Sequence, residues 1–294
     1  MKIQVGIIGG GPAGAAAARY LATQGISTAL IDRTAPGQYK IGEGLVPGAK
    51  VLLQDLKIWD RFSQAGHLPS YGNESAWGSI ETYGTDFIRS PYGHGWHLDR
   101  AAFDELLQEM ARKAGAEVLK AHQLMDFKRV GGQWQLKIKH GGSYREMTCD
   151  YLMDATGRSH YVARKLKVER HYEDQLIAFY RRYKARQKGD EDGQSFIESV
   201  RDGWWYTALL PDGHRVVVFF TDRQLPLVAQ VQQAAGFQEL MQQSHHLKEK
   251  MAAFDYEAIE APKGTDARTS RLQHFYGEAW LACASMAFPP FSPA

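Results

Sequence analysis

Six residues, Gly9-Gly10-Gly11-Pro12-Ala13-Gly14, stand between a β-rich apolar run, "KIQVGII", and a helix-favouring run, "AAAARYLATQG". A GxGxxG between strand and helix is the arrangement that cradles a dinucleotide pyrophosphate. Gly9 permits the tight turn, Gly11 lets the backbone approach the phosphates, and Gly14 lets helix and strand pack closely. Pro12 and Ala13 open the helix, whose free N–H groups and positive dipole end attract the anion. Asp32 lies eighteen residues past Gly14 at the end of a second strand, "STALID", with Arg33 beside it. A carboxylate there grips the adenosine ribose hydroxyls. Three further residues are acid/base candidates: Glu43, His67 and His97. An imidazole titrates near neutral pH, but the chain has eleven histidines, most of which must be ordinary.

Positioning these groups requires a large fold. The 294 residues suffice for one large domain or two modest ones. With 44% hydrophobic and 23% charged residues, the composition is that of an ordinary globular protein. A net charge of +2 is too small to argue for nucleic acid or an anionic membrane surface as partner. Two cysteines, Cys149 and Cys283, make neither a disulfide framework nor a zinc pattern, so no metal is expected. A reducing, cytoplasmic compartment fits. No apolar run reaches the ~18 residues of a membrane span, and no secretory signal opens the chain.

The periodicity gives a βαβ unit over residues 2–32, then a helix over 48–64 with apolar Val51, Leu52, Leu56, Trp59 and Phe62. Residues 67–97, rich in Gly, Ser, Tyr, Trp and Pro, read as short strands and loops. "LDRAAFDELLQEMARKAGAEV" is an amphipathic helix capped by Asp99 and ended by Gly115. A meander with "GG" turns follows and closes on a buried-type strand, "YLMDATG". Residues 170–225 are β-rich, 226–252 helical, and a last strand-like run ends near Cys283.

The long loop "RTAPGQYKIGEGLVP", with "HLDRAAFDELL" and "DYLMDATGRS", resembles the FAD-dependent monooxygenases of the p-hydroxybenzoate hydroxylase type. It also resembles their relatives, the flavin-dependent tryptophan halogenases and geranylgeranyl reductases. The resemblance implies an α/β fold: a Rossmann-like FAD-binding domain of glutathione-reductase type with an inserted β-sheet substrate domain. It implies that Gly42 and Glu43 lie beside the flavin, that Arg100 contacts the cofactor, and that Asp154, Ala155, Thr156 and Gly157 pack against the dinucleotide. The expected division is 1–66, 98–165 and 266–294 for FAD, and 67–97 and 166–265 for substrate. Two longer stretches, "GEGLVPGAKVLLQDLKIWDRFSQAGHLPSYGNESAWGS" and "DGWWYTALLPDGHRVVVFFTD", are similar to the flavoproteins that mature cysteine tryptophylquinone enzymes. That implies hydroxylation of a tryptophan in a precursor polypeptide, using O2 and FAD reduced by NAD(P)H or a separate reductase. Tyr71, Trp77, Trp204, Trp205 and Tyr206 are then the expected substrate walls.

Two rivals stand beside this expectation. A halogenase, or a hydroxylase of a small aromatic molecule, would share the FAD site. Halogenases carry a catalytic lysine downstream of the Gly-Glu loop, and residues 61–99 contain none. Their WxWxIP motif is also incomplete in "GWWYTALLP". The second rival is a degenerate flavoprotein that only binds the quinoenzyme precursor. It is motivated by "WLACASMAFPPFSPA", where the resemblance expects a strand ending in Gly-Asp. Here Ala282-Cys283 fills that place, so Cys283 replaces an aspartate toward the ribityl chain and Pro290 falls in the following turn. Family members continue into a helical region beyond the point that Ala294 reaches.

Overall fold

The structure, a computed structural model, describes residues 2–35 and 37–283. Pro290 and the rest of residues 284–294 lie outside the described residues. Strand β1 (Lys2–Ile8) leads into helix α1 (Pro12–Thr23) and strand β2 (Thr28–Asp32). β1 pairs in parallel with β2 on one side and with the strand Ser143–Asp154 on the other. In register, Ile8 faces Ile31 and Asp154, so three strands end together just below the glycine loop. Glu117–Lys120 extends this sheet beyond β2, and Trp280–Ala282 extends it in parallel beyond Ser143–Asp154.

All five residues of β2 are buried, as expected of a parallel strand covered on both faces. One face packs Ile7 and Leu30 under Ala15 and Ala18 of α1 and under Phe103 and Leu107 of the helix Arg100–Lys113. The other packs Ile3, Ile8 and Ile31 against Leu136, Ile138 and Cys149 of the antiparallel meander 123–154. The alanines of α1 let the two helices lie close.

A second sheet is built from Leu176–Ala185, His214–Asp222, Gly203–Leu209, Gln194–Val200, Gly72–Ala76 and Tyr83–Asp86, with Tyr256–Ala258 and Lys263–Asp266 at its edge. Helices 227–253 cover one face, where Trp205, Phe219, Phe237 and Met241 form a core. The opposite face carries Tyr206, Val216 and Val218 and packs Tyr39 and Ile41 from the loop after β2. This is the mixed α/β architecture expected. A third, three-stranded sheet joins Gly44–Leu45, Gly95–His97 and Leu68–Ser70. It ties both ends of the segment 67–97 to the Gly-Glu loop, so that segment does not belong to the second sheet alone.

Two helical expectations are corrected. Residues 48–64 form two helices, Ala49–Asp55 and Trp59–Ser63. The chain turns at Lys57 (φ 53°), which drives Ile58 into the core. Residues 226–252 form three short helices, with an extended Gln233 between the first two. Gly236 allows that corner: a Cβ there would meet the Gln230 carbonyl at 2.3 Å. Among the described residues no helix is long and apolar enough to cross a membrane, and no cluster of His, Cys, Asp and Glu is placed to hold a metal ion.

Candidate active site

At the carboxyl ends of β1, β2 and Ser143–Asp154 lies a cavity of about 560 Å³. The glycine loop forms its floor, and the three motif glycines have separate reasons to be glycine. Gly9 has φ +106°, and a Cβ would sit 2.3 Å from the Ala155 carbonyl oxygen. A Cβ on Gly14 would sit 2.0 Å from the Gly9 carbonyl oxygen, so helix and loop touch there. At Gly11 a Cβ meets no atom within 4 Å. Gly11 is therefore free of packing demands, and its backbone borders open space beside the start of α1, where an anion is favoured.

Asp32 closes one wall. Its Oδ1 accepts from the Thr34 N–H (3.1 Å) and its Oδ2 from Gln108 Nε2 (3.0 Å). A carboxylate offers about four acceptor positions, so capacity remains for ligand hydroxyls. Gln108 also donates to the Gly10 carbonyl at 2.6 Å, which locks the aspartate to the glycine loop. Arg33 and Lys40 line the same cavity.

Arg100 stands at the cavity rim. Nη1 donates to the Gly42 carbonyl (2.9 Å), and Nη2 to Asp104 Oδ1 (3.2 Å). Asp104, buried, also binds Lys40 Nζ at 2.8 Å. Gly42 adopts φ +105°, and a Cβ would lie 2.6 Å from Arg100 Nη1, so only glycine lets the arginine dock. The Nε of Arg100 is buried with no hydrogen-bond partner among the described residues. A buried N–H left unpaired costs about 1–3 kcal/mol, and a bound acceptor in the cavity would satisfy it. Arg100, Asp104 and Gln108 follow one another at intervals of four on one helix stripe. Asp104 and Gln108 were missed in the sequence, where that polar stripe on a buried helix face was the available signal.

Asp154 is spent differently from the expectation. Oδ1 accepts from the Thr156 N–H and hydroxyl, and Oδ2 from the Val162 and Ala163 N–H groups (2.8 and 3.0 Å). The carboxylate thus holds the start of the helix Tyr161–Lys165 and does not line the cavity, whereas Ala155, Thr156 and Gly157 do. Cys283 lines it too, and its N–H donates to the Asp154 carbonyl at 2.8 Å. Burial pushes the Cys283 thiol above its usual pKa, which disfavours a thiolate.

Glu43 and His97 meet in a buried cluster beyond the rim. Glu43 Oε2 accepts from the Gly42 N–H (3.1 Å), and the carboxylate sits beside the Tyr206 hydroxyl. Ser195 Oγ lies 3.5 Å from Tyr206 Oη and 3.0 Å from His97 Nε2. Burial pushes His97 below its usual pKa, partly offset by the Glu43 charge and the Leu209 carbonyl. Burial, with the Glu43 charge next, raises Tyr206 well above the ordinary tyrosine range. Ser195 was not legible in the sequence, because only the packing of the second sheet against the three-stranded sheet brings it to His97. His67 is placed elsewhere: it packs on Phe62 and Phe103 and accepts from the Asp99 N–H.

The expected aromatic walls divide between two faces. Side chains alternate along a strand, so Trp204 and Tyr206 share the face that meets Tyr39 and Ile41. Trp205 points the other way. It is fully buried against Phe219 and Phe237 and belongs to the core, not to a substrate wall. Trp204 stacks on Phe220 (centroids 5.2 Å, planes 9° apart), and Trp77 meets it edge-on at 5.9 Å. Trp77 and Tyr71 are exposed, and Tyr71 contacts His94.

Comparison with known proteins accords with this geometry. Residues 2–184 match the FAD binding domain family. LodB of Marinomonas mediterranea, described as a candidate FAD-dependent oxidoreductase, is 34% identical over 224 residues, 74% of this chain and 60% of that protein. The flavin-dependent halogenase gsfI of Penicillium aethiopicum is 28% identical, covering 70% of this chain and 43% of the relative. The chain thus spans 60% or less of the length of these two relatives. Among solved structures, the myxobacterial chondrochloren halogenase CndH superposes with a TM-score of 0.86 at 22% identity, covering 96% of this chain and 67% of that one. A flavoprotein/dehydrogenase from Cytophaga hutchinsonii gives 0.85 at 18%, covering 95% and 70%. The open backbone at Gly11, the spare acceptor capacity of Asp32 and the unpaired Arg100 Nε fit a dinucleotide, and with the match over residues 2–184 they identify the chain as a member of the FAD-binding-domain family, with FAD as its cofactor.

Proposed function

We propose that the protein is an FAD-dependent monooxygenase that hydroxylates a tryptophan side chain of a precursor polypeptide during cysteine tryptophylquinone biogenesis. The observation that carries this reading is the aromatic face of the second sheet. Trp204, Phe220 and Tyr206 stand across from the Tyr39–Glu43 loop, and the half-exposed Trp77 extends them toward solvent. These residues lie in, or pack on, the stretches that resemble tryptophylquinone-maturing flavoproteins.

In this reading the glycine loop and the start of α1 bind the pyrophosphate, and Asp32 takes the ribose hydroxyls. Arg100 presents Nε at the flavin end, while Thr156, Gly157 and Cys283 complete the wall. Reduced FAD with O2 supplies the oxygen atom when bound. Trp77 and Trp204 offer faces and edges on which an indole stacks, with ring centroids in the range such pairs favour. The apolar face around Ala178, Val216 and Val218 excludes water. Replacing an indole C–H by C–OH releases a proton, and Glu43 is the buried carboxylate placed to take it. The partner is the precursor polypeptide, for which the exposed Tyr71 and Trp77 form the outer contact.

The halogenases among the curated relatives, gsfI one of them, favour a second reading, halogenation of an aromatic substrate at the same site. Mass spectrometry separates the two. The protein is incubated with a cysteine tryptophylquinone precursor polypeptide, FAD, a reductant, 18O2 and chloride or bromide. Our reading expects labelled oxygen on a tryptophan. A halogen on an added aromatic compound, with an unmodified polypeptide, would overturn it.

A further inference from the structure

A line of buried polar groups runs inward from the cavity rim. Arg100 Nη1 holds the Gly42 carbonyl, and the Gly42 N–H holds Glu43 Oε2. Beyond Glu43 come the Tyr206 hydroxyl, the Ser195 hydroxyl 3.5 Å from it, and His97 Nε2 3.0 Å from Ser195. Glu43, Tyr206, Ser195 and His97 are 4%, 6%, 6% and 1% exposed. They come from the Gly-Glu loop, from two strands of the second sheet and from one strand of the three-stranded sheet, so the fold brings them together from four separate elements.

Packing alone does not account for the line. His97 Nδ1 is buried without a hydrogen-bond partner among the described residues. Whichever nitrogen carries the proton, one polar atom of the ring stays unsatisfied, a cost that an apolar side chain would avoid. What an imidazole adds is the capacity to take a proton. The line also ends at His97: among the described residues its one side-chain partner is the Ser195 hydroxyl, and the Leu209 carbonyl that also acts on the ring can accept but carries no proton to pass on.

We propose that Tyr206 and Ser195 carry a proton between Glu43 and His97, and that His97 is a single-proton store behind the flavin face. The inference rests on the reading of Glu43 as the acid/base group of the site. In the forward direction the Glu43 carboxyl gives its proton to Tyr206 Oη. Tyr206 passes its own proton to Ser195 Oγ, and Ser195 passes its own to His97 Nε2. Carboxylic acid and neutral imidazole become carboxylate and imidazolium, each hydroxyl again holds one proton, and no electron moves. The reverse transfer restores the start. Burial keeps the resting imidazole neutral, so the store is empty until a proton is released nearby. Once His97 is charged, the Glu43 carboxylate and Asp192 favour the imidazolium, whereas Arg215 opposes it. Tyr39, whose hydroxyl is also buried and has no hydrogen-bond partner among the described residues, is a further titratable group that faces Tyr206 and Glu43.

The test reads proton traffic directly and does not depend on turnover. Protein carrying oxidised FAD and 15N-histidine is followed by NMR, with His97 assigned by its loss in His97→Gln. Two quantities are taken: the titration midpoint of His97 and the rate at which its ring exchanges protons with water. Ser195→Ala and Tyr206→Phe should each slow exchange by about tenfold or more while moving the midpoint far less. Ser195→Thr, which restores a hydroxyl, should recover the rate. Melting curves identify any variant that fails to fold, and the Ser195→Ala and Ser195→Thr pair differs only in the side chain at one position. Exchange within about twofold of the parent in both variants, or slowing that Ser195→Thr does not relieve, overturns the proposal. A slowed rate in a protein that leaves tryptophan unmodified would keep the relay and remove the monooxygenase reading.

Discussion

The two strands that flank β1, β2 and Ser143–Asp154, each close on a buried aspartate beside the same cavity, and the two carboxylates are used in opposite ways. Asp32 makes two hydrogen bonds and keeps acceptor capacity toward the cavity. Asp154 makes four, all to its own chain within nine residues, and holds the helix Tyr161–Lys165 in place. One is a ligand group supported by Gln108; the other is a structural cap whose neighbours Ala155, Thr156 and Gly157 form the cavity wall. Strand-end position alone therefore does not assign a carboxylate to a cofactor. What decides is how many of its acceptor sites the protein has already filled.

Among the two carboxylates the larger expected effect on stability is on the filled one. Asp154→Ala leaves four donors without their acceptor, at roughly 1 kcal/mol each, so stability should fall by about 4 kcal/mol in urea or thermal unfolding. A loss under about 1 kcal/mol would break the distinction. The same contrast holds between faces of the strand Gly203–Leu209. Trp205→Ala, in the core, should cost about 3–5 kcal/mol. Trp204→Ala, on the half-covered face, should cost distinctly less in the same unfolding assay. Asp32→Ala should weaken FAD binding about 10- to 100-fold, the equivalent of about 1.4–2.8 kcal/mol, as read by quenching of flavin fluorescence.

The smallest effect is a pH slope. Burial holds His67, His97 and His160 below their usual pKa. The folded state therefore binds fewer protons than the unfolded chain once pH drops below about 6.5. Stability should decline from there until each folded pKa is reached, with a slope of at most about 1.4 kcal/mol per pH unit for each histidine. Urea titrations on either side of that value check the sign, and His97→Gln should flatten the decline.

The βαβ unit and its motif were legible in the sequence because glycine identity and spacing report backbone demands directly, as at Gly9 and Gly14. The amphipathic helix and its Asp99 cap, which accepts from the Ala102 N–H, were legible for the same local reason. The polar cluster was only half legible. Glu43 and His97 stand out as titratable groups, but Ser195 joins them through contact between two sheets whose strands lie far apart in the chain. Trp204 and Trp205 show a different limit. Alternation requires that they face opposite ways, yet which one faces the helices depends on where residues 227–253 pack. The Lys57 turn was hidden because a lysine at positive φ carries no sequence signal, unlike a glycine.

The most direct test titrates FAD onto wild-type protein, Gly11→Val and Asp154→Ala, and records a melting curve for each apoprotein. A side chain at Gly11 enters space that the protein leaves open, so Gly11→Val should lose flavin binding while melting like the parent. Asp154→Ala should melt earlier, and where it is folded it should bind FAD better than Gly11→Val. Unchanged FAD affinity in Gly11→Val would contradict the account, because the pyrophosphate would then lie away from the glycine loop.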